Sequence, residues 1–97
     1  MTIFEIARFT LVPGTKPAAA YAAWLGSQAW AKSQPGFVNR RLIADDEGEY
    51  IDLVEWADTA SAQAAQAAFD PADQNLAPFV AVIDMTTLVM GHYHPLG

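Results

Sequence analysis

The chain has 97 residues, 53% of them hydrophobic, and a formal net charge of −6 at pH 7. This length is sufficient for one domain, and we predict a single domain over residues 1–97. Five basic residues against eleven acidic ones offer no cluster of positive charge. Binding to nucleic acid or to an anionic membrane surface requires such a cluster, so neither partner is expected.

The chain contains no cysteine, which excludes disulfides, thiolate nucleophiles and zinc–thiolate sites. Its first residues, Met1 to Phe9, include Glu5 and Arg8 and do not form the pattern of a signal peptide. No apolar stretch approaches the ~20 residues that span a bilayer. We therefore predict a cytoplasmic protein.

The first half of the chain predicts a strand, a helix and a second strand. Residues 3–12 are rich in β-branched and aromatic types and end at Pro13-Gly14. Residues 17–33 are rich in alanine, have apolar residues at helical spacing and are followed by Pro35-Gly36. A strand is then predicted over residues 37–44.

The second half predicts a hairpin, a helix and a last strand. An acidic turn over residues 45–48 leads into a strand over 49–57, and a turn this short makes the two strands antiparallel. A second helix is predicted over 60–69. Residues 72–84 are expected to be helical or irregular, and residues 85–94 are expected to form the last strand.

The order β-α-β-β-α-β predicts a ferredoxin-like α+β fold. Two right-handed β-α-β units interleave into a four-stranded antiparallel sheet in the order 4-1-3-2, with both helices on one face. Apolar side chains occupy both faces of the first and third predicted strands, although helices cover only one face. A domain this small cannot bury so much apolar surface alone, so we expect a homodimer in which the helix-free faces meet.

The positions of the turns, helices and strands along the chain also resemble those of a known family. Ile6-Ala7-Arg8-Phe9 precedes Pro13-Gly14, a helix leads to Pro35-Gly36-Phe37, and the strand from Tyr50 to Trp56 runs into a second helix. This resembles the antibiotic biosynthesis monooxygenase-like group of dimeric α/β-barrel proteins. The resemblance covers nearly the whole chain and rests on structural motifs more than on catalytic ones.

The resemblance implies a homodimer whose sheets form a shared barrel, with a pocket between sheet and helices in each subunit. It further implies a cofactor-independent monooxygenase acting on a small aromatic, polyketide or quinone-type compound. No cofactor is then needed, because an electron-rich phenolate or quinol can itself reduce dioxygen in a dry pocket. The alternatives are a non-catalytic ligand-binding or stress-response protein, and a structural dimer whose pocket is filled by its own side chains.

Three aromatic residues are the predicted ligand contacts. Trp56 corresponds to the tryptophan that some of these oxygenases place in the pocket, where it would stack on a flat ligand. Tyr21 and Trp24, on the first helix, are predicted to line the same pocket. Core packing is the competing interpretation for all three, because large aromatic side chains are commonly buried wherever they occur.

Two further residues are the predicted catalytic groups. Arg8 in the first strand is a candidate for stabilising a substrate phenolate, with Glu55 as an alternative charge near the pocket. His92 is a candidate acid or base and shares its strand face with His94. Unconstrained surface histidines and ordinary ion pairs are the competing interpretations.

Several known chemistries are not expected from this sequence. The haem-degrading branch of the family carries its iron-ligating histidine on the second helix, and residues 60–69 contain no histidine. Two histidines alone make an incomplete metal site, so no metal is predicted. Nucleotide and flavin motifs are missing as well.

Overall fold

The computed structural model describes all 97 residues and confirms the predicted order of elements. The strands and helices are β1 (Ile3–Thr10), α1 (Pro17–Ser33), β2 (Phe37–Ala44), β3 (Glu49–Trp56), α2 (Thr59–Ala68), α3 (Ala77–Val82) and β4 (Val89–Tyr93). Residues 72–84, for which the sequence predicts a helical or irregular segment, contain the short helix α3. None of the helices combines the length and the apolar character needed to cross a membrane.

The four strands form one antiparallel sheet in the order β2-β3-β1-β4, as predicted. Side chains alternate between the two faces of each strand. Ile3, Val54 and Trp56 face the helices and are buried against α2, while Phe9 is buried against α1 and α3. Both long helices therefore cover the same face of the sheet, and the other face carries no helix.

The last strand begins at Val89 instead of the predicted Met85. The carboxylate of Asp84 accepts hydrogen bonds from the backbone N–H and the hydroxyl of Thr86, at 3.1 and 2.6 Å, which turns the chain. The hydroxyl of Thr87 then accepts the backbone N–H of Thr10 at 2.9 Å. Because a side chain takes the place of a strand partner at Thr10, regular pairing with β1 starts later.

The entry to β2 depends on a glycine that packs against α2. Gly36 has a φ of 83°, a left-handed conformation that side chains with a Cβ rarely adopt. A Cβ at this position would also overlap the side chain of Ser61. The backbone O of Gly36 accepts the N–H of Ala57 at 2.8 Å, so this close approach joins the start of β2 to the end of β3.

Helix α2 begins with a side-chain cap that can be tested directly. The Asp58 carboxylate accepts the backbone N–H of Ser61 at 2.7 Å, and this hydrogen bond lowers the pKa of Asp58 below its ordinary value of 3.8. Because the folded-state pKa is lowered, the stabilisation is present above about pH 4 and is lost as the pH falls through the folded value.

We expect Asp58→Ala to lower the thermal midpoint of unfolding at pH 7, and Asp58→Asn to lower it less, because an amide oxygen can still cap the helix. The gap between wild type and Asp58→Asn should close on acidification below pH 4. Thermal unfolding followed by circular dichroism measures this. Equal midpoints for Asp58→Ala and wild type at pH 7 would show that the cap is dispensable.

Candidate functional site

A cavity of about 420 Å³ lies between the sheet and the helices. Fifteen of its twenty lining residues are hydrophobic, and they come from β1, β3, β4, α1, α2 and the α3 region, among them Ala7, Phe9, Val54, Trp56, Leu76 and Phe79. Ala7 lies between two larger helix-facing residues on β1, so its small side chain leaves space over the middle of the sheet. A concave, largely apolar space with a few polar groups is the usual form of a small-molecule site.

Trp56 lines this cavity, as its predicted role requires. The residue is 2% exposed, and its ring meets Phe37 edge-on at a centroid distance of 5.9 Å. Its indole N–H is buried and has no hydrogen-bond acceptor in the protein. A buried donor without an acceptor costs roughly 1–3 kcal/mol, so Trp56 carries an unused donor in a wall of the cavity.

A buried ion pair forms the wall of the cavity on the β2 side. Arg40 donates to both carboxylate oxygens of Asp52, from Nε to Oδ1 at 3.0 Å and from Nη2 to Oδ2 at 2.8 Å. Its Nη1 donates to Ser27 Oγ at 2.8 Å and to Gln28 Oε1 at 3.2 Å. The Arg40 side chain is only 6% exposed, and four of its five N–H groups are bound within the protein.

Trp24 supports this ion pair and does not line the cavity. Its indole N–H donates to Asp52 Oδ1 at 3.1 Å, and the guanidinium of Arg40 lies 4.9 Å from the ring centroid. Tyr21 is 52% exposed and stacks on Trp24 at 5.9 Å. The structure therefore places the predicted helical pair behind the ion pair, outside the cavity lining.

Arg8 also lies away from the cavity. It is exposed and pairs in register with Ile51 and Val89, residues of the helix-free face. Neighbouring strand residues point to opposite faces, and Ala7 and Phe9 are the ones that line the cavity. The predicted action of Arg8 on a ligand in this space does not agree with that placement.

His92 contacts the cavity only through Glu5, a residue that the sequence patterns do not single out. Glu5 lines the cavity, stands opposite His92 in the β1–β4 register, and has its Oε2 atom 3.2 Å from His92 Nε2. An ionised carboxylate can only accept, so Nε2 carries the proton of this hydrogen bond. No third His, Asp or Glu joins the pair in a cluster that could hold a metal ion.

The sheet register arranges these polar groups in one row. Arg40 on β2, Val54 on β3, Glu5 on β1 and His92 on β4 are consecutive cross-strand neighbours. Strands lie about 4.8 Å apart, so Glu5 stands roughly 10 Å across the sheet from Arg40. The cavity lining thus has the Arg40–Asp52 ion pair on one side and Glu5, which is bonded to His92, on the other.

Comparison with known proteins identifies the fold. No family model matches the sequence, and no curated protein matches it. Among solved structures, SnoaB, a cofactor-independent oxygenase from Streptomyces nogalater, superposes with a TM-score of 0.78 over 99% of this chain and 94% of its own, at 20% identity. A candidate antibiotic biosynthesis monooxygenase from Bordetella bronchiseptica superposes with a TM-score of 0.81 over 98% and 97%, at 15% identity.

The chain has the fold of the antibiotic biosynthesis monooxygenase-like proteins. A protein of unknown function from Nitrosomonas europaea shares it too, with a TM-score of 0.73 over 99% of this chain and 90% of its own, at 16% identity. The fold predicted from the sequence resemblance is thereby confirmed. At these identities the likeness identifies the fold alone, and one fold hosts many chemistries.

The contribution of the Arg40–Asp52 ion pair to stability can be tested by substitution. We expect Asp52→Ala to destabilise the fold by roughly 3–5 kcal/mol, because it leaves the buried charge of Arg40 unpaired. The double variant Arg40→Met/Asp52→Leu should recover part of this loss, because it removes both charges but leaves the Trp24 indole N–H without its acceptor. Urea unfolding measures the free energies, and Asp46→Ala in the exposed turn is the control. A loss below about 1 kcal/mol in Asp52→Ala would contradict the role given to the pair.

Proposed function

We propose that this protein is a cofactor-independent oxygenase that acts on a small hydroxylated aromatic, polyketide or quinone-type compound bound in the cavity. The observation that carries the proposal is an apolar cavity that is lined by the Trp56 indole and by one carboxylate, Glu5, whose Oε2 is bonded to the imidazole of His92. A purely apolar cavity would favour simple ligand storage, and a filled core would favour a structural role. The pair of Glu5 and His92 favours chemistry.

The cavity supplies what such a reaction requires from a protein. An anthrone, for example, has a methylene group that reacts with one dioxygen molecule to give a carbonyl and one water molecule. Loss of a proton makes the substrate electron-rich enough to reduce dioxygen. The acid–base groups available are Glu5, which lines the cavity, and His92, which is bonded to Glu5. Apolar walls keep bulk water from the reactive intermediate. Trp56 offers a surface for edge or offset contacts with a flat ring.

The structural comparison supports this proposal from a second direction. SnoaB is a cofactor-independent oxygenase, and it superposes on nearly the whole of this chain. Fold alone is a weak argument for function, since one fold hosts many activities. The comparison therefore adds weight only because the cavity independently offers the apolar space and the acid–base pair that this chemistry uses.

We further propose that the protein acts as a homodimer. Phe4, Ile6, Ile51 and Leu53 lie on the helix-free face of the sheet, and the last-strand residues Val89 and Tyr93 add exposed apolar surface there, being 52% and 55% exposed. Two such faces, joined through residues 88–93, would bury on the order of 2,000 Å². Arg8 would then lie at the interface between subunits.

The oxygenase proposal predicts a loss of activity when the cavity is filled. Wild type should show quenched tryptophan fluorescence with anthrones or hydroxynaphthoquinones, and should consume oxygen with the anthrone in the absence of added cofactor. Ala7→Leu should lose both signals, because its extra atoms occupy the cavity floor. Trp56→Phe should weaken binding by roughly two- to tenfold through the loss of ring contacts.

Oxygen electrode traces and fluorescence titrations provide the two readouts. Ala64→Leu is the matched control, because Ala64 is an exposed residue of α2 that does not line the cavity. Quenching without oxygen uptake would favour the binding-protein alternative. Neither quenching nor uptake with any of these compounds would contradict a ligand site of this kind.

The dimer proposal predicts a particle of twice the 10.5 kDa mass of one chain. Sedimentation velocity at micromolar concentration measures it. Leu53→Glu should shift the protein towards the monomer, because it places a charge in the apolar interface, whereas Leu25→Glu on the exposed side of α1 should not. A stable wild-type monomer would contradict the proposal.

A further inference from the structure

The charged groups on the cavity wall leave it with an excess of negative charge. Only Glu5, Arg40 and Asp52 among the twenty lining residues are charged, and the remaining polar side chain is the amide of Gln66. Two carboxylates in the lining therefore face one guanidinium, and His92 is not part of the lining. The chain as a whole carries a net charge of −6, so no surrounding positive field offsets this excess.

Arg40 is poorly suited to receive an anionic ligand. Asp52 binds its Nε–H and one Nη2–H, Ser27 and Gln28 bind both hydrogens of Nη1, and one N–H of Nη2 is left. A ligand carboxylate would have to compete with a bidentate bond from within the protein, the strongest arrangement that a guanidinium can form. The cavity therefore offers no free cation to a carboxylate or phosphate.

Glu5 offers the opposite chemistry. Its Oε2 accepts from His92, while Oε1 makes no hydrogen bond within the protein and is not closed off from solvent. The Glu5 side chain is 16% exposed and lines the cavity. One of its two acceptor oxygens is therefore free to bind a ligand. An O–H donor of a ligand fits this oxygen, and hydrogen bonds to a charged acceptor are about twice as strong as neutral ones.

We infer that the cavity selects uncharged hydroxyaromatic compounds, that Glu5 is the residue that selects them by accepting the ligand's hydroxyl hydrogen, and that His92 positions Glu5. This inference rests on the proposed function and narrows its substrate class. Compounds bearing a carboxylate or phosphate are excluded by repulsion from Glu5. Ethers of the same ring system bind more weakly because they have no hydrogen to donate.

Equilibrium dialysis with three matched probes tests this. The probes are 2-naphthol, 2-methoxynaphthalene and 6-hydroxy-2-naphthoate, which share one ring system and differ in the donor or in the charge. Wild type should bind 2-naphthol at least about tenfold more tightly than either of the others, the size expected for one hydrogen bond to a charged group. In Glu5→Gln both gaps should shrink to about threefold or less, while Glu47→Gln in the exposed turn should bind as wild type does.

The positioning role of His92 has its own readout. His92→Gln retains an N–H donor for Oε2 and should keep most of the preference for naphthol over its methyl ether. His92→Phe removes the donor and should lose the preference for naphthol over its methyl ether. Circular dichroism would verify that this variant keeps the fold. A role limited to packing would make the Phe variant bind as well as the Gln variant.

Three results would overturn the inference. They are wild type binding all three probes equally, wild type binding none of them, and Glu5→Gln keeping both gaps. Equilibrium dialysis measures binding and not oxygen consumption, so the oxygenase proposal is tested separately by oxygen uptake. If the preference depends on Glu5 but no oxygen is consumed, the inference is supported and the oxygenase proposal is rejected. If oxygen is consumed but Glu5→Gln keeps both differences in affinity, the oxygenase proposal is supported and the inference is rejected.

Discussion

The bidentate ion pair between Arg40 and Asp52 connects three elements that the cavity needs in fixed positions. It joins β2 to β3, and its hydrogen bonds to Trp24, Ser27 and Gln28 attach both strands to α1. A buried ion pair contributes little net stability, because desolvation offsets the attraction. Breaking it is costly, however, and α1 is therefore held at one spacing above the sheet. The cavity extends from this fixed contact towards β1 and β4.

The same region gives up stability that a filled core would provide. Ala7 contributes almost no volume where its neighbours on β1 are larger, and the space above it stays open. The Trp56 indole N–H is buried without an acceptor, although most buried polar groups in proteins have a partner. Departures of this kind from good packing and full hydrogen bonding are expected where a structure binds something else.

The fold could be predicted from the sequence because its signals are local. Pro13-Gly14, Pro35-Gly36 and the acidic turn before Glu49 end or join elements by their own backbone preferences, and strand order then follows from handedness. The start of β4 was predicted too early, because the turn at Asp84 depends on hydrogen bonds from Thr86 that composition does not reveal.

The site was less predictable, for physical reasons that differ from residue to residue. Helical spacing places Trp24 on the buried side of α1 but cannot say whether its indole meets a ligand or a buried carboxylate. The role of Glu5 depends on its register with His92, 87 positions away in the chain. One signal was available: Glu5 is the single charge on a strand face that otherwise carries Ile3, Ala7 and Phe9.

NMR chemical-shift mapping would show whether a flat hydroxylated ligand binds between the sheet and the helices. On titration with 2-naphthol, the perturbed amide resonances should be those of Glu5, Ala7, Val54 and Leu76, together with the indole N–H of Trp56. The resonances of Ile6, Arg8 and Leu53 on the helix-free face should move little. Perturbations concentrated on that face, with the Trp56 indole unchanged, would show that the ligand does not bind in the cavity.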